Sequence, residues 1–151
     1  MVDVNHDSRP DLITLTRNQL AERLQLANGT FGAPQTLLTL KGGVSLAAGD
    51  VNGDNNPDIY VVGGRTGSQN APDFLLIGNA TGGFTTTTIP ETTVGGGTHA
   101  YPIDFTMGGL DSFLVLNGQV PSTGLLQLLT PEPSSSGTLT RTVSGKPGAA
   151  P

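Results

Sequence analysis

The chain has 151 residues, 22 of them glycine and 11 proline, with 13% charged, 35% hydrophobic and 5% aromatic, and a net charge of −5. That balance is too apolar for a disordered chain and too rich in turn formers for a helical bundle; short bursts of Val, Leu, Ile and Thr between glycines fit an all-β protein. The seven Lys and Arg are scattered and leave no basic stripe for nucleic acid, no run reaches the roughly 18 apolar residues of a membrane span, and the absence of cysteine excludes disulfides and thiol catalysis.

Taken from the N-terminus, "MVDVNHD" lacks the charged and apolar regions of a signal peptide, as a mature chain or an excised piece of a secreted protein also would. The first acidic phrase, "DVNHDSRPDL" at residues 3–12, leads into a strand, "DLITLT". In "RNQLAERLQLA" the alternation of "RLQLA" favours strand over helix. A turn with Asn-x-Thr and Phe follows, then the Thr-rich strand "QTLLTL".

The phrase returns 47 positions later as "DVNGDNNPDI", residues 50–59, and the order of elements returns with it. "GVSLAAG" supplies a strand before it; "DIYVVGG", "DFLLIGNATGGF" and "TTTTIP" follow. A third, worn unit aligns "THAYPIDFTMGGLDSFLVLNG" on the second if one loop residue is deleted. That deletion matches Asp104 to Asp50 and Asp111 to Asp58, with Thr106 and Gly108 in the middle positions. "GLLQLLT" and "GTLTRTVSG" would complete it, and "PEPSSS", residues 131–136, is either their turn or a Pro/Ser linker. Four-stranded units of 40 to 50 residues are the period of propeller blades. The expected fold is all-β, about three four-stranded antiparallel β-propeller blades at about 1–40, 43–90 and 98–144, followed by a Pro/Gly-rich tail at 145–151. The first lacks its opening strand, and three blades form an incomplete propeller or part of a larger one.

Positions 1, 3, 5 and 9 of each phrase carry Asp, Asn, Asp and Asp, and position 7 can offer its carbonyl. Such an oxygen set suits a hard cation that takes six to eight oxygens, calcium above all. The ligands would be Asp3, Asn5, Asp7, the Arg9 carbonyl and Asp11 in one loop, and Asp50, Asn52, Asp54, the Asn56 carbonyl and Asp58 in the other. An EF-hand fails, since positions 6 and 12 are Ser8 or Asn55 and Thr14 or Val61 where Gly and Glu are needed, and strands flank the loops. Magnesium tolerates crowded protein ligands poorly. A pair of metal-free acidic Asx-turns is the bland alternative, weakened by the second copy.

These two phrases, each with a downstream "NGTFGAP" or "NATGGF", resemble the FG-GAP or VCBS repeats of calcium-loaded β-propellers in integrin alpha subunits and many secreted bacterial proteins. The resemblance covers residues 2–117 well and 118–144 loosely. It implies Ca²⁺ at the two sets just named, as a staple between the first and second strands of a blade, and none at 104–111.

Asn28 and Asn79 head glycosylation sequons at corresponding turns, and the Ser/Thr/Pro segments have an O-glycosylated composition. Catalysis has little material: His6 reads as loop filler, His99 as a strand residue, "GGRTG" as a turn, and Glu22, Asp73, Glu91 and Glu132 stand isolated in sequence. The expectation is a non-catalytic calcium-binding module of a secreted or surface-exposed protein. Its structural work would be extracellular self-assembly, as oligomer or filament, or adhesion, with copies of itself or another extracellular protein as partner. The alternatives are a lectin-like carbohydrate-binding propeller, for which Tyr60, Tyr101 and five Phe supply few platforms, and the propeller portion of a polysaccharide-degrading enzyme.

Overall fold

The computed structural model of the protein describes residues 1–89, 97–104, 110–117, 125–131 and 139–144. Every regular element among them is a strand, in antiparallel sheets. The first sheet joins β1 (Leu12–Leu15), β2 (Gln19–Arg23) and β3 (Gln35–Thr39) in that order. The second joins β4 (Gly43–Gly49), β5 (Asp58–Gly63), β8 (Asp73–Gly78) and β9 (Phe84–Ile89). Between β5 and β8 a small hairpin, β6 (Arg65–Thr66) and β7 (Gln69–Asn70), occupies the "GGRTG" turn. The third sheet joins β10 (Gly97–Ile103), β11 (Ser112–Asn117), β12 (Leu125–Pro131) and β13 (Leu139–Ser144). The segment that could have been argued helical is strand at β2, and Gln25 beyond it makes an isolated bridge to Phe31.

Burial explains why the middle sheet carries the most apolar strand. All six residues of β5 are buried, because both faces of the second sheet are covered. One face puts Ile59, Val61 and Leu76 into a cluster with Leu20 and Leu40, against which Ile13 and Leu15 of the first sheet pack. The other puts Ala47, Tyr60, Val62 and Leu75 against Ala100, Phe113, Val115 and Leu129 of the third sheet. Tyr60 and Phe113 stack with centroids 5.3 Å apart. Each large side chain so buried stabilises by ~1.5–3 kcal/mol, so the three sheets hold one another. The outer strand β9 reads FTTTTI with its threonines exposed, a polar edge that discourages further pairing.

The register corrects the alignment of the third unit. Gly43 pairs Gly63 and Gly49 pairs Asp58 across β4 and β5, with a shift between Gly43 and Ser45. Gly97 pairs Asn117 and Ile103 pairs Ser112 across β10 and β11, with the same shift between Gly97 and His99. Asp104 therefore matches Asp50 with no deletion, and Ser112, not Asp111, stands where Asp58 does. An aspartate one residue away had drawn the sequence alignment out of step. The middle positions Thr106 and Gly108, residues 132–136 of the Pro/Ser segment and the tail at 145–151 lie outside the described residues.

Candidate metal centre

Both acidic phrases fold into the same loop. Loop two, residues 50–58, joins β4 to β5; loop one, residues 3–11, leads into β1, and the Val2–Asp11 bridge is the counterpart of the Gly49–Asp58 pair. Position 1 caps the loop interior. Asp3 accepts from the N–H groups of Asp7 (3.2 Å) and Ser8 (2.9 Å). Asp50 accepts from those of Gly53 (2.7 Å), Asp54 (3.3 Å) and Asn55 (2.8 Å). To present those amides inward, the backbone turns left-handed at positions 4 and 6: φ is 59° at His6, 65° at Ser8, 76° at Gly53 and 63° at Asn55. Only Gly53 does this without strain.

Position 9 is a buried clamp. Val4 N–H donates to Asp11 Oδ2 (3.0 Å) and Gln25 N–H to its Oδ1 (2.8 Å). In loop two Val51 N–H donates to Asp58 Oδ2 (2.9 Å) and Gly78 N–H to its Oδ1 (2.9 Å). Each aspartate, fully buried, thus ties its loop to the far end of a later strand of the same sheet, Asp11 to Gln25 just beyond β2 and Asp58 to Gly78, the last residue of β8. Gly78 is required there, since a Cβ would lie 2.3 Å from the Pro57 carbonyl oxygen. Burial pushes the Asp58 carboxyl up to about 6; the two backbone donors oppose the shift, and the charges of Asp54 and Asp50 add to it.

Positions 3 and 5 face each other. Asn5 Nδ2 donates to Asp7 Oδ2 and Asn52 Nδ2 to Asp54 Oδ2, each at 3.0 Å. Asp7 and Asp54 also accept the position 7 amides, from Arg9 at 2.9 Å and Asn56 at 2.8 Å. For Asp54, burial acts upward but is outweighed by the bonds to Asn56 and Asn52 and the influence of His6, leaving its carboxyl below the ordinary value. Among the described residues no three Asp, Glu or His side chains gather into a cluster that could hold a metal. Their oxygens turn to loop amides and to neighbouring side chains, with Asp50 Oδ1 and Asp7 Oδ2 each accepting two bonds. The donors of both sets are all oxygens and each set carries three carboxylates, chemistry that fits a hard divalent cation.

Several partners were invisible in the sequence. The Arg9 guanidinium, expected to leave only its carbonyl to the site, forms an ion pair with Asp7, and its Nε donates to the Gln25 carbonyl at 2.8 Å. His6 is no filler: its Nε2 lies 2.8 Å from Asn56 Oδ1 across a cleft of about 430 Å³ lined by Asp3, Asp50 and Pro57. Asp111 exchanges main-chain and side-chain bonds with loop two, its N–H donating to the Asp50 carbonyl (2.8 Å) and its Oδ2 accepting from Asp50 N–H (2.9 Å). Asp73 is buried with both oxygens used, on the Tyr60 hydroxyl and on Gly63 N–H. Glu22, also buried, has its pKa raised by burial and then by Asp11, and its Oε2 meets no donor among the described residues. Asn28 and Asn79 are exposed at matching turns, where each side-chain oxygen accepts from the N–H and hydroxyl of the threonine two residues on. The sequon spacing thus has a local use as an Asx-turn. His99 stacks on Tyr101 with centroids 6.2 Å apart.

With this geometry in view, the comparison with known families is specific. Residues 3–61 match the model of the FG-GAP-like repeat, a span from Asp3 at the start of loop one to the middle of β5. No curated protein matches the chain. The described residues are all-β, and residues 3–61 are similar to the FG-GAP-like repeat.

Proposed function

We propose that the protein is a non-catalytic, calcium-binding propeller module of a secreted or surface-exposed protein, with Ca²⁺ in both acidic loops. The observation that carries this reading is the duplication itself. Two loops 47 residues apart adopt the same backbone and put the same oxygens in the same places, including a buried carboxylate with its pKa raised to about 6 in loop two. Asp3, Asn5, Asp7, the Arg9 carbonyl and Asp11 would hold one ion; Asp50, Asn52, Asp54, the Asn56 carbonyl and Asp58 the other. The ion would neutralise the carboxylates and staple each loop to its sheet. Extracellular calcium modules bind with dissociation constants of about 10⁻⁴–10⁻³ M, so a millimolar supply outside the cell fits such sites. The third unit, with Ser112 at position 9, would bind none.

A role in assembly or adhesion draws support from the third sheet. Tyr101, 50% exposed, pairs with Leu114, which pairs with Leu128, so all three share a face with Leu116. Phe113, Val115 and Leu129 occupy the opposite face, buried on the second sheet. In the second sheet the corresponding face, with Tyr60 and Val62, is covered by a further sheet, so another blade or another copy would suit this one. Calorimetric titration with Ca²⁺ tests the binding: two sites per chain are expected, and no heat at millimolar Ca²⁺ would reject the metal. Light scattering tests the assembly, which a monodisperse monomer at all concentrations would rule out.

A further inference from the structure

The contact between His6 and Asn56 joins the two loops in an unequal way. His6 stands at position 4 of loop one, where the backbone is left-handed at φ 59°, and loop two has Gly53 at the same position. Strained backbone persists where the surroundings hold it and the side chain has a use. Here the imidazole reaches out of its own loop, its Nε2–H donating to Asn56 Oδ1 at 2.8 Å.

Asn56 is itself a fixed point of loop two. It is 8% exposed, its N–H donates to Asp54 Oδ1 at 2.8 Å, and its Nδ2 lies 3.4 Å from the Asp54 carbonyl oxygen. Its own carbonyl is the position 7 donor of loop two. A residue of loop one therefore orients a donor residue of loop two, while Asp3 and Asp50 line the cleft between them.

We infer that His6 is a positioning residue that couples the two loops, so that a cation in either one raises the affinity of the other. The inference rests on the calcium reading above. A cation on Asp3, Asn5 and Asp7 would fix the backbone from which His6 projects. His6 would then hold Asn56 ready, and loop two would lose less conformational freedom on binding. Linkage makes the effect reciprocal. One hydrogen bond of ordinary strength corresponds to a coupling of about three- to tenfold in affinity.

The test is a Ca²⁺ titration by calorimetry on the full chain and four variants. Asp3→Asn with Asp7→Asn disables loop one; His6→Gly removes the ring and accepts the left-handed backbone; a fourth chain combines them. His6→Gln keeps a donor of similar reach. Disabling loop one should weaken loop two about three- to tenfold, His6→Gly should do the same, and the combination should add nothing further. His6→Gln should restore most of the coupling. Without Ca²⁺, His6→Gly should shift the Asn56 side-chain amide signals in a ¹⁵N correlation spectrum. Two sites that bind Ca²⁺ independently, unchanged by His6→Gly, would overturn the coupling and leave the calcium reading standing. No Ca²⁺ binding by the parent chain would overturn both.

Discussion

Loops one and two share a backbone and differ in how each offsets its own charge. Loop one places the Arg9 guanidinium on Asp7, so one of its three carboxylates already has a cation. Loop two has neutral Asn56 at that position and three carboxylates, of which Asp50 and Asp54 push the buried Asp58 further up. One fold thus accommodates a built-in cation in one copy and leaves the charge unbalanced in the other. Loop two should depend on an external cation more than loop one does.

The largest effect should come from breaking what the loops have in common, the position 9 clamp. Asp58→Ala leaves the amides of Val51 and Gly78 buried without acceptors and is expected to cost about 2–4 kcal/mol in urea unfolding. Asp11→Ala should cost a similar amount through Val4 and Gln25. Gly78→Ala attacks the same junction sterically and should fall in the same range, because the Pro57 carbonyl cannot move without loop two. A cost below ~1 kcal/mol for all three would mean that the clamp does not hold the loops.

Next in size is the pH response, which the buried Asp58 carboxyl of loop two should carry. Asp58 has a folded pKa of about 6 against an ordinary 3.8, so between those values the folded state binds more protons than the unfolded. Stability of the calcium-free protein should therefore rise as pH falls from about 6 toward 4, by on the order of 2–3 kcal/mol from this group. Glu22, raised by burial and by Asp11, acts in the same direction. The Asp58 penalty is fully present only well above pH 6, where its carboxyl is ionised. Asp58→Asn should flatten the curve, and so should millimolar Ca²⁺. A calcium-free curve that falls throughout this window would contradict the shift.

The size of that shift could not be read from the sequence, although the loops could. Asp-x-Asn-x-Asp-x-x-x-Asp written twice marked two loops of one conformation, and alternation in "RLQLA" and the apolar run "IYVVG" pointed to strands. These are local signals, carried by neighbours in sequence. His6 on Asn56 and Asp111 on Asp50 depend on how sheets stack, and the clamp partners Gln25 and Gly78 on how strands pair within a sheet; the Arg9 pair with Asp7 is local, but the residue was read only for its carbonyl. Ser112 shows the limit most clearly. A nearby aspartate was the better match by residue type, and only the strand register, with its shift at Gly97, put the serine in place.

Cation removal should have a smaller effect, and an unequal one. Mass action at millimolar Ca²⁺ gives on the order of 0.5–1.5 kcal/mol per site, so a chelator should lower the melting temperature by a few degrees. Asp54→Asn should remove more of that chelator response than Asp7→Asn, since loop one keeps Arg9. Arg9→Asn makes loop one resemble loop two; it should lower stability by no more than ~1 kcal/mol without Ca²⁺ and increase the stabilisation that Ca²⁺ provides. Equal chelator responses in Asp7→Asn and Asp54→Asn would remove the distinction between the loops.

The smallest prediction tests whether the shared backbone is strained in both copies. Position 6 is Ser8 in one loop and Asn55 in the other, both left-handed. Asparagine tolerates that region better than serine, because its side chain bonds locally and relieves part of the steric cost. Ser8 donates its N–H to Asp3 from this conformation, and glycine would keep that bond. Glycine also gains freedom in the unfolded chain, which offsets part of the benefit. Ser8→Gly should therefore stabilise by roughly 0.5 kcal/mol or somewhat more, and Asn55→Gly by less. Urea midpoints at fixed slope would resolve the order. If Asn55→Gly stabilised more than Ser8→Gly, the strain would lie in loop two, and its greater need for a cation would have a steric origin as well as an electrostatic one.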